Sequence, residues 1–235
     1  MTVDIRFDTP SGTYSGDLIQ QGRAKTVLVL PDWRGHRTEY AMRRGVEIAQ
    51  ALDCTVVVSD LYGTENRPKG YGGDAEVWIA QALGDPQTLR RKLATYIQAL
   101  CDTVQIDPQT LHVVGYCLGG ALSFEIGRAD AGLAAVASVH GIPSSQDPIQ
   151  NLHSNTRFLA IHGASDPIIS MDHLSAFQSE MTDASVDWMS LSIGHARHGF
   201  TNEEIDPHGA GQRYDARAAR RCLTGLRRFL YEEAS

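Results

Sequence analysis

Long apolar runs are missing from this sequence: none approaches the about 20 residues that a helix needs to cross a bilayer. The opening residues MTVDIRFDTP carry neither a basic start nor an apolar core of the signal-peptide kind. Together these absences lead us to expect a soluble protein of the cytoplasm with no membrane partner. Cysteine is scarce as well. Cys54, Cys101, Cys117 and Cys222 are widely spaced and form no C-x-x-C pair, which excludes a dense disulfide scaffold and fits a reducing compartment. Positive charge is in deficit, with 21 Lys and Arg against 28 Asp and Glu and a net charge of −7, so nucleic acid is not an expected partner. No internal repeat and no linker divides the chain, and residues 1–235 are expected to form one domain.

What is present is ordinary globular composition, 42 % hydrophobic and 21 % charged. Apolar runs at 26–30, 54–58, 111–114, 133–139, 158–162 and 186–191 read as strands, most of them continuously buried, as a parallel sheet covered on both faces requires. Residues around Ile5–Phe7 and Thr13–Tyr14 suit a short antiparallel hairpin before them. Helical periodicity lies between the strands, in Ala41, Gly45, Ile48, Ala49 and Leu52, and again in Leu89, Leu93, Tyr96, Ile97 and Leu100 after Pro86. Further helices are predicted over 119–127 and 173–181 and at the end of the chain. In the last, Ala219, Cys222, Leu223, Leu226, Phe229 and Leu230 face inward and five arginines form a solvated face. This alternation predicts an α/β fold with a doubly wound, mostly parallel sheet. The irregular stretch 63–84, with a short helix around Trp78, is expected to be a lid, a pocket wall or a long crossover.

The most specific feature is Gly115-Tyr116-Cys117-Leu118-Gly119-Gly120, where a buried strand runs straight into a small-residue helix. Glycines two before and two after Cys117 relieve crowding in a sharp strand-to-helix turn, the pattern of a nucleophile elbow with sulfur in place of a hydroxyl. Helix amides at that turn favour a thiolate and an incoming oxyanion. The other three cysteines lack this setting and read as packing. A thiol nucleophile needs an acid and a histidine further along. Asp166 stands in a turn after the strand at 158–162, and the loop after the next strand brings His195 or His198; spacing alone leaves that choice open.

At these residues the chain resembles the dienelactone hydrolase family of α/β-hydrolases, over nearly its whole length. The likeness is carried by Gly115–Gly120, Gly163-Ala164-Ser165-Asp166, His198-Gly199-Phe200, Ser59–Gly63 and Tyr214–Ala219. The resemblance implies an α/β-hydrolase fold, hydrolysis of a small-molecule ester or lactone without cofactor or metal, and a triad of Cys117, His198 and Asp166. Family members carry a glutamate where Asp32 stands, contacting the resting thiol, so Asp32 joins the expected catalytic set. The backbone amides of Trp33 and Leu118 are the expected oxyanion hole. Dienelactone hydrolases hold a substrate carboxylate with an arginine where this chain has Asn202; a cation from the region around Arg67 and Lys69 is the expected substitute. Tyr116, Trp33, Trp78 and Phe200 are expected to wall an apolar pocket. Two other readings compete: a metal enzyme using His195 and His198 with Asp32, His36 or Cys117, and a noncatalytic binding protein on the same fold.

Overall fold

The runs of β-branched and apolar residues pair into a single eight-stranded sheet because both of their faces need cover. The computed structural model describes residues 2–20, 25–64, 68, 75–206 and 208–232. In chain order the elements are β1 (Thr2–Thr9), β2 (Gly12–Gln20), β3 (Thr26–Leu30), α1 (Glu39–Leu52), β4 (Thr55–Ser59), α2 (Ala75–Leu83), α3 (Pro86–Val104), β5 (Leu111–Tyr116), α4 (Leu118–Arg128), β6 (Ala135–Val139), β7 (Arg157–Gly163), α5 (Met171–Asp183), β8 (Trp188–Ile193) and α6 (Ala216–Tyr231). The strand order is β1-β2-β4-β3-β5-β6-β7-β8. β1 and β2 pair antiparallel, as do β2 and β4, and every later pairing is parallel. The doubly wound, mostly parallel sheet expected from the alternating pattern is the one that forms. No described helix is long and apolar enough to cross a membrane.

Strand alternation sends side chains to two separate cores. Leu28, Leu30, Val113 and Val136 meet Leu93, Tyr96 and Ile97 of α3, Leu122 and Phe124 of α4 and Phe177 of α5. Val27, Val29, Val114 and Ala137 meet Tyr40 and Ile48 of α1 and Cys222, Leu226 and Phe229 of α6. Helix starts are fixed by local chemistry. Thr38 accepts from the Ala41 amide, Asp85 accepts from Thr88 ahead of Pro86, and Asp215 accepts from Arg217 and Ala218. The buried stripe of α6 runs through Ala218 rather than Ala219, and Leu223 is only half-buried, because α6 meets the sheet rotated slightly toward Ala218. β8 is half-buried along most of its length, as suits a strand at the sheet's edge. In the stretch 63–84, Trp78 sits on α2, as the short-helix reading required, whereas Arg67 and Lys69 lie outside the described residues.

Burial also settles the three bystander cysteines. It pushes the thiols of Cys54 and Cys101 up to about 11 and that of Cys222 higher still, so they stay protonated and inert.

A buried ion cluster ties three helices to the loop after β6. Arg128, fully buried on α4, donates to both oxygens of Glu180 on α5 at 2.9 and 2.7 Å, to Glu125 at 3.0 Å and to the Pro143 carbonyl at 2.6 Å. Arg90 on α3 reaches the other oxygen of Glu125 at 2.8 Å. Substituting Arg128→Met would leave two carboxylates buried without their shared partner. We expect a loss of about 3–5 kcal/mol and a drop in Tm on the order of 10 °C. Calorimetry that finds the variant as stable as wild type would show that the cluster does not hold these elements together.

Candidate active site

The strand β5 ends in a residue whose backbone only a tight turn can explain. Cys117 has φ 55° and ψ −115°, well outside the regions that side-chain-bearing residues favour. Two glycines make this turn packable. A Cβ on Gly115 would lie 1.8 Å from the Gly119 carbonyl oxygen, and one on Gly119 would lie 2.1 Å from that of Leu30. The Gly119 amide donates to the Pro31 carbonyl at 3.0 Å, and the Cys117 amide to Val139 at 3.0 Å. The sulfur therefore stands at the carboxyl edge of the sheet, between the ends of β3 and β6, where open α/β sheets place their ligands.

Three side chains line up there. Cys117 Sγ is 3.2 Å from His198 Nε2, and His198 Nδ1 is 2.9 Å from Asp166 Oδ2. The other Asp166 oxygen accepts from the amides of Ile168 and Ile169 at 2.8 and 3.0 Å. Burial would raise the Asp166 pKa, but the bond to His198, the charge on that ring and these amides hold it below the ordinary carboxylate value. For His198, burial disfavours the charged ring. The negative charge on Cys117 and the hydrogen bonds to Asp166 and to the sulfur overcome this and push its pKa up to about 10. His195 is partly exposed and pairs with Asp215 at 3.3 Å, so the geometry brings His198, not His195, to the sulfur. His36 turns to Asp60 at 2.8 Å, and among the described residues no three His, Cys, Asp or Glu side chains converge as metal ligands would.

The loop after β3 is braced from both sides. Arg34 Nη2 donates to Asp32 Oδ2 at 2.7 Å, its Nε reaches both Asp32 oxygens at 3.1 Å, and its Nη1 reaches Glu204 at 2.6 Å. Asp32 thus pairs with Arg34, while the sulfur pairs with His198. Between Asp32 and Arg34 lies Trp33, whose carbonyl accepts from the Tyr62 hydroxyl at 2.7 Å. Leu118 opens α4, so its amide has no carbonyl one turn back within the helix and is open to a ligand. Trp33 and Leu118 both line the cavity at Cys117.

Two cavities open on the sulfur. One, of about 120 Å³, is apolar, with Ala121, Ile142, Ile168 and Ile169 facing Ile79 and Leu83 of α2. The other, of about 20 Å³, is of mixed lining, with Asp32, His140, His198 and Asn202 beside Trp33 and Ile205. Of the residues expected in the pocket wall, Trp33 and Asn202 are there. Tyr116 and Phe200 are not: Tyr116 packs edge-on to Tyr40 beneath the sheet, and Phe200 packs against the His140 ring. Trp78 lines a separate cavity beside Tyr62. The hydrophobic effect draws large aromatic side chains into the core wherever it is open to them, leaving aliphatic residues on irregular segments to wall the pocket. Sequence reasoning missed Ile142, Ile168, Ile169, Gln212 and His140. Of these only His140 carried a signal, standing directly after a buried strand at the same sheet edge as Cys117.

Similarity to known proteins bears on this geometry. The pattern that defines the dienelactone hydrolase family matches residues 13–233. A carboxymethylenebutenolidase homolog of Homo sapiens is 23 % identical over 216 residues, 88 % of this chain and 83 % of its own. An uncharacterized protein of Caenorhabditis elegans is 34 % identical over 150 residues, 61 % of this chain and 93 % of its own. Among solved structures, a dienelactone hydrolase-like promiscuous phosphotriesterase from metagenomic libraries has a TM-score of 0.83 at 24 % identity, covering 98 % of this chain and 97 % of that chain, which shows a shared α/β-hydrolase fold.

The turn at Cys117 stores strain that glycine would release. Cys117→Gly should be more stable than Cys117→Ala by about 1–3 kcal/mol, although glycine usually destabilises ordered positions. Thermal unfolding of the two variants compares them directly, and equal or lower stability of the glycine variant would count against a strained elbow.

Proposed function

Since this chain belongs to the dienelactone hydrolase family, we propose that it hydrolyses a small, uncharged carboxylic ester or lactone through a thioester on Cys117. The observation that carries this reading is the unbroken line from Cys117 through His198 to Asp166, with contacts of 3.2 and 2.9 Å, at a strained strand-to-helix turn. Sulfur attacks the substrate carbonyl, and the carbonyl oxygen, gaining charge, is held by the amides of Leu118 and Trp33. Asp166 fixes the His198 tautomer, and His198 gives its proton to the departing alcohol. Once sulfur is acylated it bears no charge and no longer holds a proton on the ring. Two of the influences that raise the His198 pKa are then gone, and the ring becomes a competent base for the water that cleaves the thioester. In this scheme Asp32 works through the loop: with Arg34 it clamps the backbone on either side of Trp33.

The substrate follows from the cavity. No Lys, Arg, Asp or Glu side chain lines the 120 Å³ space among the described residues, and away from His198 its walls are mainly aliphatic, which suits a neutral acyl group. The size of this space, about 120 Å³, limits the length of acyl chain it can take. A noncatalytic relative would have no need to keep all three side chains in register. The four unpaired cysteines suit the reducing cytoplasm.

A panel of neutral esters, lactones and carboxylate-bearing lactones, read by turnover and by intact mass, tests the reading. We expect an acyl adduct on wild type that is absent from Cys117→Ala, with turnover in that variant reduced by at least about 10³-fold. An active Cys117→Ala, or no turnover of any member by wild type, would defeat it. Along a series of straight-chain esters, kcat/KM should rise by about fourfold per methylene until the cavity is filled and then level off. A series that is flat, or that peaks with a charged acyl group, would overturn the assignment of the acyl cavity.

A further inference from the structure

The sheet ends on one side at β8, whose outer edge has no neighbouring strand among the described residues. Asp187 and Ile193 turn their carbonyls inward, to the amides of Phe158 at 2.9 Å and Ala164 at 3.0 Å. Residues two apart in a strand direct their main-chain groups the same way, so the N–H and C=O groups of Trp188, Ser190 and Ser192 face outward. None of these six groups has a hydrogen-bond partner among the described residues. Met189 and Leu191 lie half-buried on the face of β8 that α6 covers. The helix comes close to them at Gly225, where a Cβ would lie 2.9 Å from Leu191 Cδ2. Between α6 and the strand runs an open groove of about 710 Å³ with these apolar side chains in its floor.

The helix side of the groove is positively charged. Arg217, Arg220, Arg221 and Arg228 stand at i, i+3, i+4 and i+11, which is one stripe of α6, and all four are exposed. Elsewhere the chain pairs its arginines: Arg34, Arg44, Arg90 and Arg128 each hold two carboxylates. On this stripe only Arg228 meets a carboxylate, Glu232 at 3.5 Å, and the guanidinium groups of Arg217, Arg220 and Arg221 have none among the described residues. A second copy is a poor occupant, because two β8 edges joined antiparallel would bring two arginine stripes together. We propose that β8 and α6 form a docking site for an extended acidic segment of another protein, which adds to the sheet as a ninth strand with carboxylates at alternate positions. Main-chain bonds to β8 supply the pairing, and the arginines select the sequence. Alternate side chains of a strand are about 6.7 Å apart, close to the rise of about 6 Å between Arg217 and Arg221, so successive carboxylates meet successive guanidinium groups. Glutamate suits the site better than aspartate, since its methylenes cover Met189 and Leu191 while its carboxylate reaches the helix.

The test uses the full chain and a fluorescein-labelled, amidated octapeptide that alternates glutamate with threonine. Anisotropy should show saturable binding, tighter by about tenfold or more than that of an octapeptide of the same composition with its glutamates in one block. Arg217→Glu combined with Arg221→Glu should weaken the alternating peptide by about tenfold or more and leave ester turnover unchanged, since both residues are exposed on the helix and neither lines a cavity at Cys117. Arg217→Gln with Arg221→Gln, a milder change, should weaken it in the same direction and keeps the question answerable if charge reversal disturbs the fold. Amide hydrogen exchange separates strand addition from adhesion by charge: the amides of Trp188, Ser190 and Ser192 should slow by about tenfold or more in the complex. Equal affinity for the two peptides, binding indifferent to both arginine variants, unchanged exchange along β8, or no binding at millimolar peptide would each overturn the docking site.

Discussion

Everything at the carboxyl edge of this sheet depends on how closely the first turn of α4 approaches the end of β3. The contact is backbone on backbone, Gly119 N to the Pro31 carbonyl at 3.0 Å, with no room for a Cβ on Gly119. It tilts Cys117 out of both strand and helix geometry and lifts the sulfur above the sheet. It also joins the elbow to the loop carrying Asp32, Trp33 and Arg34, so Cys117 and the backbone at Trp33 and Leu118 are held by one contact. Strain of this kind persists only where the surroundings over-determine the backbone. Here the surroundings are β5, buried along its whole length, and a helix packed against strands on both sides of it.

Charge is organised around that contact in closed sets. Arg34 is shared by Asp32 and Glu204, Arg44 by Glu47 and Glu203, and Arg128 by Glu125 and Glu180. The first two sets bind the segment after His198 to α1 and to the Trp33 loop, so the histidine arrives on a fixed platform. The third holds the Pro143 carbonyl and with it the segment carrying Ile142. Buried pairs such as these add little net stability over an apolar core, and their value lies in permitting one arrangement only. They also consume the cations near the site. Arg34, in the loop after β3, is paired with both Asp32 and Glu204, so it presents no free positive charge to a substrate from that side.

Membership of the dienelactone hydrolase family, fold and triad alignment go together in this chain, while the surroundings of the triad are its own. Asp32 faces Arg34, and the Asn202 side chain caps the following turn by accepting from the Glu204 amide at 3.0 Å. An aliphatic space and a smaller one of mixed lining both border the sulfur.

Much of this was legible before any coordinates. Continuous apolar runs specified buried parallel strands, because a strand covered on both faces cannot alternate. Glycines flanking Cys117 specified the elbow, because the turn excludes side chains there. Pro86 marked the start of the helical stripe that follows it, because proline is tolerated in a first turn and not in a helix interior. Each of these signals is local, written within a few residues. The choice of His198 over His195 needed family likeness in the sequence and became a matter of distance only in the fold. Tyr116 and Phe200 pack in the core and Trp78 lines a cavity beside Tyr62, since composition shows which residues are apolar but not where the fold will place them. The place of His140 beside the His198 ring, the isoleucines of the apolar cavity and the pairing of Asp32 with Arg34 came from tertiary structure alone. They depend on segments far apart in the chain meeting at one sheet edge, and the free energy of such a meeting is set by packing and desolvation that no short stretch of sequence contains.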